Sequence, residues 1–432
     1  MADATVTSLK YNYVVIESLD GSKKIDITNS ILFSDYFEDI LSPCVTMSMM
    51  VANSSSIYNL LPIRGGERVA FSIKTFSGEF TLDAEYSMYV YKVSGINPVD
   101  TKEYFTMHLV SREGITNETT RCFKRYEGNI KNTVEYILKK DLQTEKFKEK
   151  NIERTSNSYN FIGNSRKPFS VLTWLGPKGV PVSSGGTSGE EAKGIAGYLF
   201  FENKEGFNFK SIDSLVSSTQ IGSSSADKKN IAKYYFTGAT ETNKGVNAFK
   251  ILNYSIEKNI DLLKSLRVGM YSNKTYFYDF YTGLVDIFIY RLKDQINNKL
   301  GTDDTIAVSE ELGESWTRVM VRTSDRGVLD KETVTKESGR DHADMAKSYS
   351  RYNILFTQSL NMVVPCNINL KAGDIIYTEF PTVEPSKDMG VDKQQSGNYL
   401  IKELRHHFEG TQMVTSLKLI RDSYGLYGST SK

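Results

Sequence analysis

The chain has 432 residues, which is too long for one ordinary hydrophobic core, so two or more domains are expected. It carries 53 Lys and Arg against 52 Asp and Glu, and this balance argues against a protein whose affinity depends on neutralising many phosphates. Aromatic residues make up 12% of the chain, a composition that favours strands and protein interfaces.

The sequence predicts a protein made in a reducing compartment. Its three cysteines, Cys44, Cys122 and Cys366, are far apart and predict neither a disulfide framework nor a zinc site. The N-terminus lacks a basic stretch followed by an apolar one, so no signal peptide is predicted. The apolar run from Leu284 is interrupted by Asp286 and is too short to cross a bilayer. No membrane-spanning segment is expected.

Short alternating or apolar runs separated by turn residues characterise residues 11 to about 114. This pattern is typical of an antiparallel barrel or sandwich, because strands alternate with period two and turns favour Gly, Asp, Asn and Pro. One segment, 31–41, has a spacing that fits either a helix or a strand, and its state stays open. We assign 1–118 to a first β domain.

The pattern changes to helical spacing after Gly128. Asn129 is placed to cap an amphipathic helix that covers a sheet, and its apolar face is formed by Ile130, Val134, Ile137, Leu138 and Leu142. A Gly/Ser-rich stretch, 183–194, can bury almost nothing and is expected to be an exposed, mobile loop. The pair Glu205-Gly206 between two aromatic runs predicts a β-hairpin. These features define a middle α+β domain over 119–244.

A second β domain is predicted from two separated segments, 245–292 and 350–425. Between them, 293–349 is interpreted as a helical and polar insertion. The four-residue spacing of Phe288, Leu292, Ile296 and Leu300 predicts a helix that leads into it. Residues 426–432 form a C-terminal tail.

Two distant stretches carry a similar strand pattern. Gly66 and Gly373, Tyr89 and Tyr399, and Arg112 and Arg421 are separated by 307, 310 and 309 residues. Recurrence at a nearly fixed offset indicates two copies of one structural unit, although chance matching of short β-rich strings is the alternative. The signature residues of the two copies are Gly66, Glu67, Tyr89, Arg112 and Glu113, and Gly373, Asp374, Gly397, Tyr399, Arg421 and Asp422.

No catalytic, cofactor or metal site is predicted. The sequence lacks a phosphate-binding loop, a nucleophile turn, an HExxH motif and a calcium-loop spacing. His406 and His407 are adjacent on a predicted strand, where neighbours point to opposite faces and cannot easily chelate one ion. His342 lies between Asp341 and Asp344 on what we interpret as a solvated helix face. The acid pairs Asp303-Asp304 and Glu310-Glu311 lie in polar surroundings, and a hydrolase whose two acids are far apart in the chain stays an alternative.

Three C-terminal runs carry a family resemblance. LKAGDIIYTEFP from 370, DKQQSGNYLIKELRHHFEG from 392 and TSLKLIRDSYG from 415 resemble the tube domain of the central baseplate hub proteins of contractile-tailed, myovirus-type bacteriophages. Related phage late-control and secretion-spike hub proteins have similar elements. GYLFFENKEGFNFKSIDSL from 197 resembles the middle domain of the same family. With the N-terminal strands, the resemblance covers most of the chain.

The resemblance implies a mainly β protein with α+β insertions, in which two similar antiparallel β-barrel tube domains accompany smaller mixed domains. It implies a structural, non-enzymatic homotrimer that joins a six-fold tail tube to a three-fold spike and leaves a channel for DNA ejection. The expected partners are a separate spike protein, tail tube or tube-initiator proteins, the tape-measure protein and DNA in transit. The protein would be made in the host bacterial cytoplasm and reside in the virion baseplate. A cell-wall-degrading carbohydrate hydrolase and a receptor- or glycan-binding tail appendage are the alternatives.

Overall fold

The structure is a computed structural model of the chain. It describes residues 10–53, 61–99, 102–182, 196–216, 231–236, 248–258, 261–280, 282–292, 311–312, 315–323, 340–382, 390–410 and 412–423. The predicted mobile loop at 183–194, the tail at 426–432 and the acid pair Asp303-Asp304 lie outside these residues.

The N-terminal part forms strands in which buried side chains alternate with more exposed ones, as in β4, where Met47, Met49 and Val51 are buried. The segment left open by its sequence is a strand, because it pairs on both sides with other strands. The strands are β1 Lys10–Glu17, β2 Lys24–Asp26, β3 Ile31–Asp39, β4 Thr46–Asn53, β5 Arg68–Thr75, β6 Gly78–Leu82, β7 Met88–Val99 and β8 Lys102–Ser111.

The middle part confirms the predicted helix and hairpin. Asn129 caps the helix by accepting a hydrogen bond from the amide of Lys131 at 3.1 Å, and the predicted apolar face is buried. Gly206 begins the second hairpin strand with a φ of 106°, a conformation that favours glycine. The elements are α1 Arg112–Thr119, β9 Arg125–Tyr126, α2 Ile130–Tyr136, β10 Phe147–Ile152, β11 Phe161–Ile162, α3 Pro168–Leu175, β12 Tyr198–Asn203, β13 Gly206–Ser211 and α4 Ile212–Val216.

The C-terminal part begins with β14 Lys233–Tyr235 and β15 Asn253–Lys258. Next come α5 Leu262–Arg267, β16 Ser272–Tyr278, β17 Val285–Arg291, β18 Arg318–Thr323 and α6 Arg340–Ile354. The chain then forms β19 Gln358–Pro365, β20 Ile375–Glu379, β21 Gly397–Glu409 and β22 Gln412–Arg421.

The prediction of a helix starting at Phe288 is wrong. Phe288 lies in β17 and pairs with Thr275 of β16. Val285, Ile287 and Ile289 alternate with Asp286, Phe288 and Tyr290, and this period of two suits a strand; the predicted positions Ile296 and Leu300 lie outside the described residues. Of the segment 245–292, β15 joins the main sheet, whereas β16 and β17 form a separate sheet with β18.

One large sheet connects the N-terminal and C-terminal strands. Its order is β15-β19-β22-β21-β3-β4-β8-β7-β5-β1-β2, with β20 on β21, β14 on β20 and β6 on β5. Among the described residues, this order contains no pairing that closes it into two separate barrels. One apolar cluster packs against the sheet and includes Val14, Met49, Phe71, Val90, Leu360, Tyr399 and Ile401.

The middle part of the chain has a second apolar cluster, in which Phe200 and Phe207 stack with ring centroids 5.6 Å apart. Cys44, Cys122 and Cys366 are free thiols. None of the helices in the described part of the chain is long and apolar enough to cross a membrane. The fold is mainly β, as the sequence predicts.

Candidate assembly surfaces

Two sets of strands in the large sheet follow the same order. In the first unit, defined as β1, β3, β4, β5, β7 and β8, the order is β3-β4-β8-β7-β5-β1. In the second unit, defined as β14, β15 and β19 to β22, it is β15-β19-β22-β21-β20-β14. The units differ at the last strand, since β1 is antiparallel to β5 and β14 is parallel to β20.

The two signature glycines occupy equivalent turns. Gly66 has a φ of 95° and Gly373 a φ of 89°, values that side chains rarely tolerate. The Gly66 amide donates to the carbonyl of Val90 at 2.6 Å, and the Gly373 amide donates to the carbonyl of Ile401 at 3.0 Å. The glycines are therefore required by backbone geometry in both units.

The acidic residues after these glycines complete the same pattern. The amide of Val90 donates to the carbonyl of Glu67, and the amide of Ile401 donates to the carbonyl of Asp374, each at 2.9 Å. The side chains differ, because the buried Glu67 carboxylate accepts from backbone amides of its own turn whereas that of Asp374 lies 3.5 Å from the Lys371 ammonium. The shared feature is thus the backbone turn.

The tyrosines of the signature do not occupy equivalent positions. Tyr89 on β7 and Leu400 on β21 pair with equivalent residues of β5 and β20, so these two residues occupy equivalent positions in the two units. By the same pairing, Met88 is equivalent to Tyr399. Tyr399 is buried in the apolar cluster, whereas Tyr89 is half-buried. A shift of one residue along a strand moves a side chain to the opposite face, which explains the different burial.

The final arginines are also shifted by one residue. Ser111 pairs with Met88 at the end of β8, and Arg421 occupies the matching end of β22. Arg421 is buried, and its guanidinium carbon lies 4.5 Å from the ring centroid of Tyr399. Gly397 begins β21 beside it, where an added Cβ would lie 3.0 Å from that guanidinium.

The acidic residues that follow β8 and β22 form ion pairs with other parts of the chain. The buried Glu113 carboxylate accepts from Lys146 of the middle domain at 2.8 Å. The buried Asp422 carboxylate accepts from Arg351 of α6 at 3.0 Å. Arg112, by contrast, is exposed. Of the predicted charged residues, Glu113 and Asp422 are therefore the ones that meet a neighbouring element through an ion pair.

Both units have a bulge at the same point. The β7 register shifts between Val90 and Lys92, and the β21 register shifts between Ile401 and Glu403. Each strand therefore has one extra residue, Tyr91 or Lys402, at the matching place. A bulge adds local twist and redirects the strand.

A seam joins the two units edge to edge, where β21 pairs with β3. The Arg405 guanidinium donates two hydrogen bonds to Asp35, at 2.8 and 2.9 Å, and His407 Nδ1 lies 2.7 Å from the same carboxylate. His406 points to the other face, where it stacks on Tyr36. The prediction that His406 and His407 face opposite sides is confirmed.

Strand β15 and the part of β7 that follows Tyr89 have open edges among the described residues. Within the described residues, β15 pairs only with β19, and the pairing of β7 with β5 ends at Tyr89. Tyr91 is 53% exposed, and Ile96 and Val99 on β7 and Ile256 on β15 are also exposed. Open apolar edges of this kind are sites where another strand can add.

The face of the sheet opposite the apolar cluster is largely polar, although Phe37 on β3 is also partly exposed there. Ser48, Asn361 and Ser416 lie on it beside charged side chains. Two of these charges pair across strands, since Lys418 lies 3.1 Å from Glu257. Positive and negative side chains are therefore interspersed on this face.

A middle-domain hairpin connects both units behind the seam, which sequence reasoning missed. The buried Glu202 carboxylate accepts from the amide of Val45, just before β4, at 3.0 Å and from the hydroxyl of Ser111, at the end of β8, at 2.6 Å. Its other neighbour is Lys146, which bonds Glu113. The sequence signal that could have identified Glu202 is an acidic residue inside an otherwise aromatic strand.

The same hairpin reaches the second unit through Glu38. This buried carboxylate accepts from the amide of Lys204 at 2.6 Å and from the amide of Ala372 at 2.7 Å. Burial raises the pKa of Glu38 to about 7, and burial also raises the pKa of Glu202 above its ordinary value. Backbone amides and hydroxyl groups donate to both carboxylates, and among the described residues no group of three metal-binding side chains converges.

Comparisons with known proteins identify the fold. No protein-family model matches the sequence, and no curated protein matches it. The 43 kDa tail protein of prophage MuSo2 from Shewanella oneidensis superposes with a TM-score of 0.51 at 8% identity, over 95% of this chain and 98% of that one. The tail protein from Neisseria meningitidis MC58 superposes with a TM-score of 0.51 at 11% identity, over 96% of this chain and 97% of that one. This chain therefore has the fold of phage tail proteins.

Proposed function

We propose that this chain is the structural baseplate hub of a contractile phage tail, a homotrimer whose three copies form a ring of six similar β units. The observation that carries the proposal is the common strand order of the two units, which are joined at the β21–β3 seam and leave open edges on β7 and β15. The tail-protein fold supports the same role.

The open edges are the counterparts of the strands that form the seam. By strand order, β15 corresponds to β3 and β7 corresponds to β21. A contact between β7 of one copy and β15 of the next would therefore repeat the internal contact. Such a head-to-tail contact closes into a ring when its rotation divides a full turn.

The ring would join partners of different symmetry. Six similar units match a six-fold tail tube, whereas the inserted elements between β15 and β19 occur once per copy and are therefore three-fold. In the first unit, the corresponding strands β3 and β4 are joined by only a short connection, 40–45. The three-fold partner would be a separate spike protein, with tube or tube-initiator and tape-measure proteins on the tube side.

The polar sheet face suits a channel through which DNA passes. Its positive and negative side chains are interspersed, as in the Lys418–Glu257 pair, so it would not hold phosphates strongly. The proposal places the protein in the virion baseplate after synthesis in the host cytoplasm, and it assigns no enzymatic reaction to the chain.

Light scattering and electron microscopy of the purified chain test this proposal. We expect a mass of three chains and ring-shaped particles with a central hole. Ile256→Asp on the β15 edge should weaken the trimer, because it places a charge in the contact. Val285→Asp is the matched control, since Val285 is similarly exposed but lies in the separate sheet. A chain that stays monomeric at high concentration would contradict the ring.

A further inference from the structure

Buried apolar side chains cover the internal seam between the two units. Ile40 directly follows β3, is fully buried and packs in one cluster with Leu400 and Ile420 of the second unit. The nearby Gly373 turn is also covered, since a Cβ there would lie 3.0 Å from the ring of Phe201. The residue after β3 thus closes the surface around the glycine turn.

The counterpart of this surface in the first unit is open. Gly66 corresponds to Gly373, and its neighbour is Leu19, a side chain that is 68% exposed. Tyr91, at the bulge of β7, is also exposed. We call Leu19, Gly66 and Tyr91 the first turn surface.

The counterpart of Ile40 follows β15, the strand that corresponds to β3. Helix α5 begins there, capped by Asp261, whose carboxylate accepts from the amide of Lys264 at 3.0 Å. Its first residues, Leu262 and Leu263, are exposed, the latter by 65%. Two adjacent leucines on a capped helix present apolar area in a defined direction.

We propose that Leu262 and Leu263 of one copy pack on the first turn surface of the next copy, in the role that Ile40 has at the internal seam. This inference rests on the ring of the proposed function and names the contact that seals it. Backbone pairing of two short edges buries less than the ~1,200 Å² of a stable interface, so side chains must add to it.

The charged side chains near these leucines and near Leu19 also favour a second copy of the chain as the partner. Lys264 and Arg267 on α5 are exposed and basic. Asp20 adjoins Leu19, and hydrogen bonds from Ser18 and Ser22 lower the pKa of Asp20 to about 2, whereas Glu17 is already paired with Arg68 and Lys24. The basic side chains of α5 would therefore approach the Asp20 carboxylate, which favours this orientation of the two copies.

Substitution of the two leucines tests the contact. The Leu262→Asp and Leu263→Asp double variant should raise the concentration at which the trimer dissociates at least tenfold, measured by light scattering on a dilution series. Val321→Asp, at a residue 76% exposed in β18, is the control and should leave it unchanged. Circular dichroism of both variants establishes that they are folded.

A crosslinking experiment distinguishes a wrong contact assignment from a wrong proposal of the ring. Leu19→Cys with Leu263→Cys should give disulfide-linked dimers and trimers on oxidation, whereas Leu19→Cys with Val321→Cys should not. If the parent chain is a trimer but the first pair gives no crosslink and the leucine variant stays trimeric, the contact assignment is wrong. If the parent chain is a monomer, the ring itself is wrong and this contact with it.

Discussion

The two β units share a strand order but differ in what covers their glycine turns. In the second unit, the Gly373 turn packs against Phe201 of the middle hairpin. In the first unit, the Gly66 turn contacts Leu19, which is largely exposed. The comparison shows that equivalent backbone turns can have different surroundings. The surface around Gly373 is covered by the chain itself, whereas the surface around Gly66 is available to a neighbouring molecule.

The units also differ in their buried charges. At the end of the second unit, Asp422 pairs with Arg351, whose side chain is fully buried. At the corresponding place in the first unit, Arg112 is exposed. The second unit therefore depends on α6 through an ion pair that has no counterpart at Arg112.

The largest effect is expected at Arg351. Arg351→Met should lower the free energy of unfolding by about 3–5 kcal/mol, because it removes the buried guanidinium that pairs with the buried Asp422 carboxylate. Arg112→Met in the first unit should change it by less than about 0.5 kcal/mol. Urea denaturation of both variants measures the difference. Equal losses would show that the two units are stabilised alike.

The second effect concerns pH and the hairpin that bridges the units. Burial raises the pKa of Glu38 from 4.5 to about 7, so folding favours the protonated form. The resulting stability is fully present below pH 4.5 and is lost as pH rises to about 7, a change of about 3 kcal/mol. Thermal unfolding between pH 4.5 and 8 should be less pH-dependent in Glu38→Gln than in the parent chain. An unchanged slope would exclude Glu38 as its source.

The third effect compares the two glycine turns. Gly373→Ala and Gly66→Ala should each cost about 1–2 kcal/mol from the positive φ. Gly373→Ala should cost more, because its Cβ meets the packed ring of Phe201, whereas Leu19 beside Gly66 is exposed and can move. Chemical denaturation of the isolated variants gives both values. A larger loss for Gly66→Ala would mean that Leu19 is held in place.

The smallest effect is expected at the seam. Arg405→Ala removes two hydrogen bonds to Asp35 and should cost about 1 kcal/mol, since Arg405 is partly exposed. Its counterpart Ser94 lies on the open β7 edge, and among the hydrogen bonds of the described residues its hydroxyl has only the one with His108, at 2.7 Å, so Ser94→Ala should cost less, about 0.5 kcal/mol. Urea denaturation at low protein concentration compares them. A loss above about 3 kcal/mol for Arg405→Ala would indicate a seam pair that is stronger than its exposure implies.

Local residue types determined much of this protein. Gly66 and Gly373 were identifiable because their positive φ excludes most side chains, and the cap at Asn129 and the turn at Gly206 follow from equally local requirements. Alternation alone indicated the mainly β class. The predicted helix at Phe288 failed because four-residue spacing also occurs by chance in an alternating strand.

Only the tertiary structure decided the register and the partners. Pairing across the sheet matches Tyr89 to Leu400 rather than to Tyr399, because sequence offsets change with loops and bulges whereas hydrogen bonds define position. The pair Arg351–Asp422 joins elements 71 residues apart, and the seam pairs Asp35 with Arg405 across 370 residues. Such contacts depend on which edges and faces meet after folding, and short-range residue patterns carry no information on that choice.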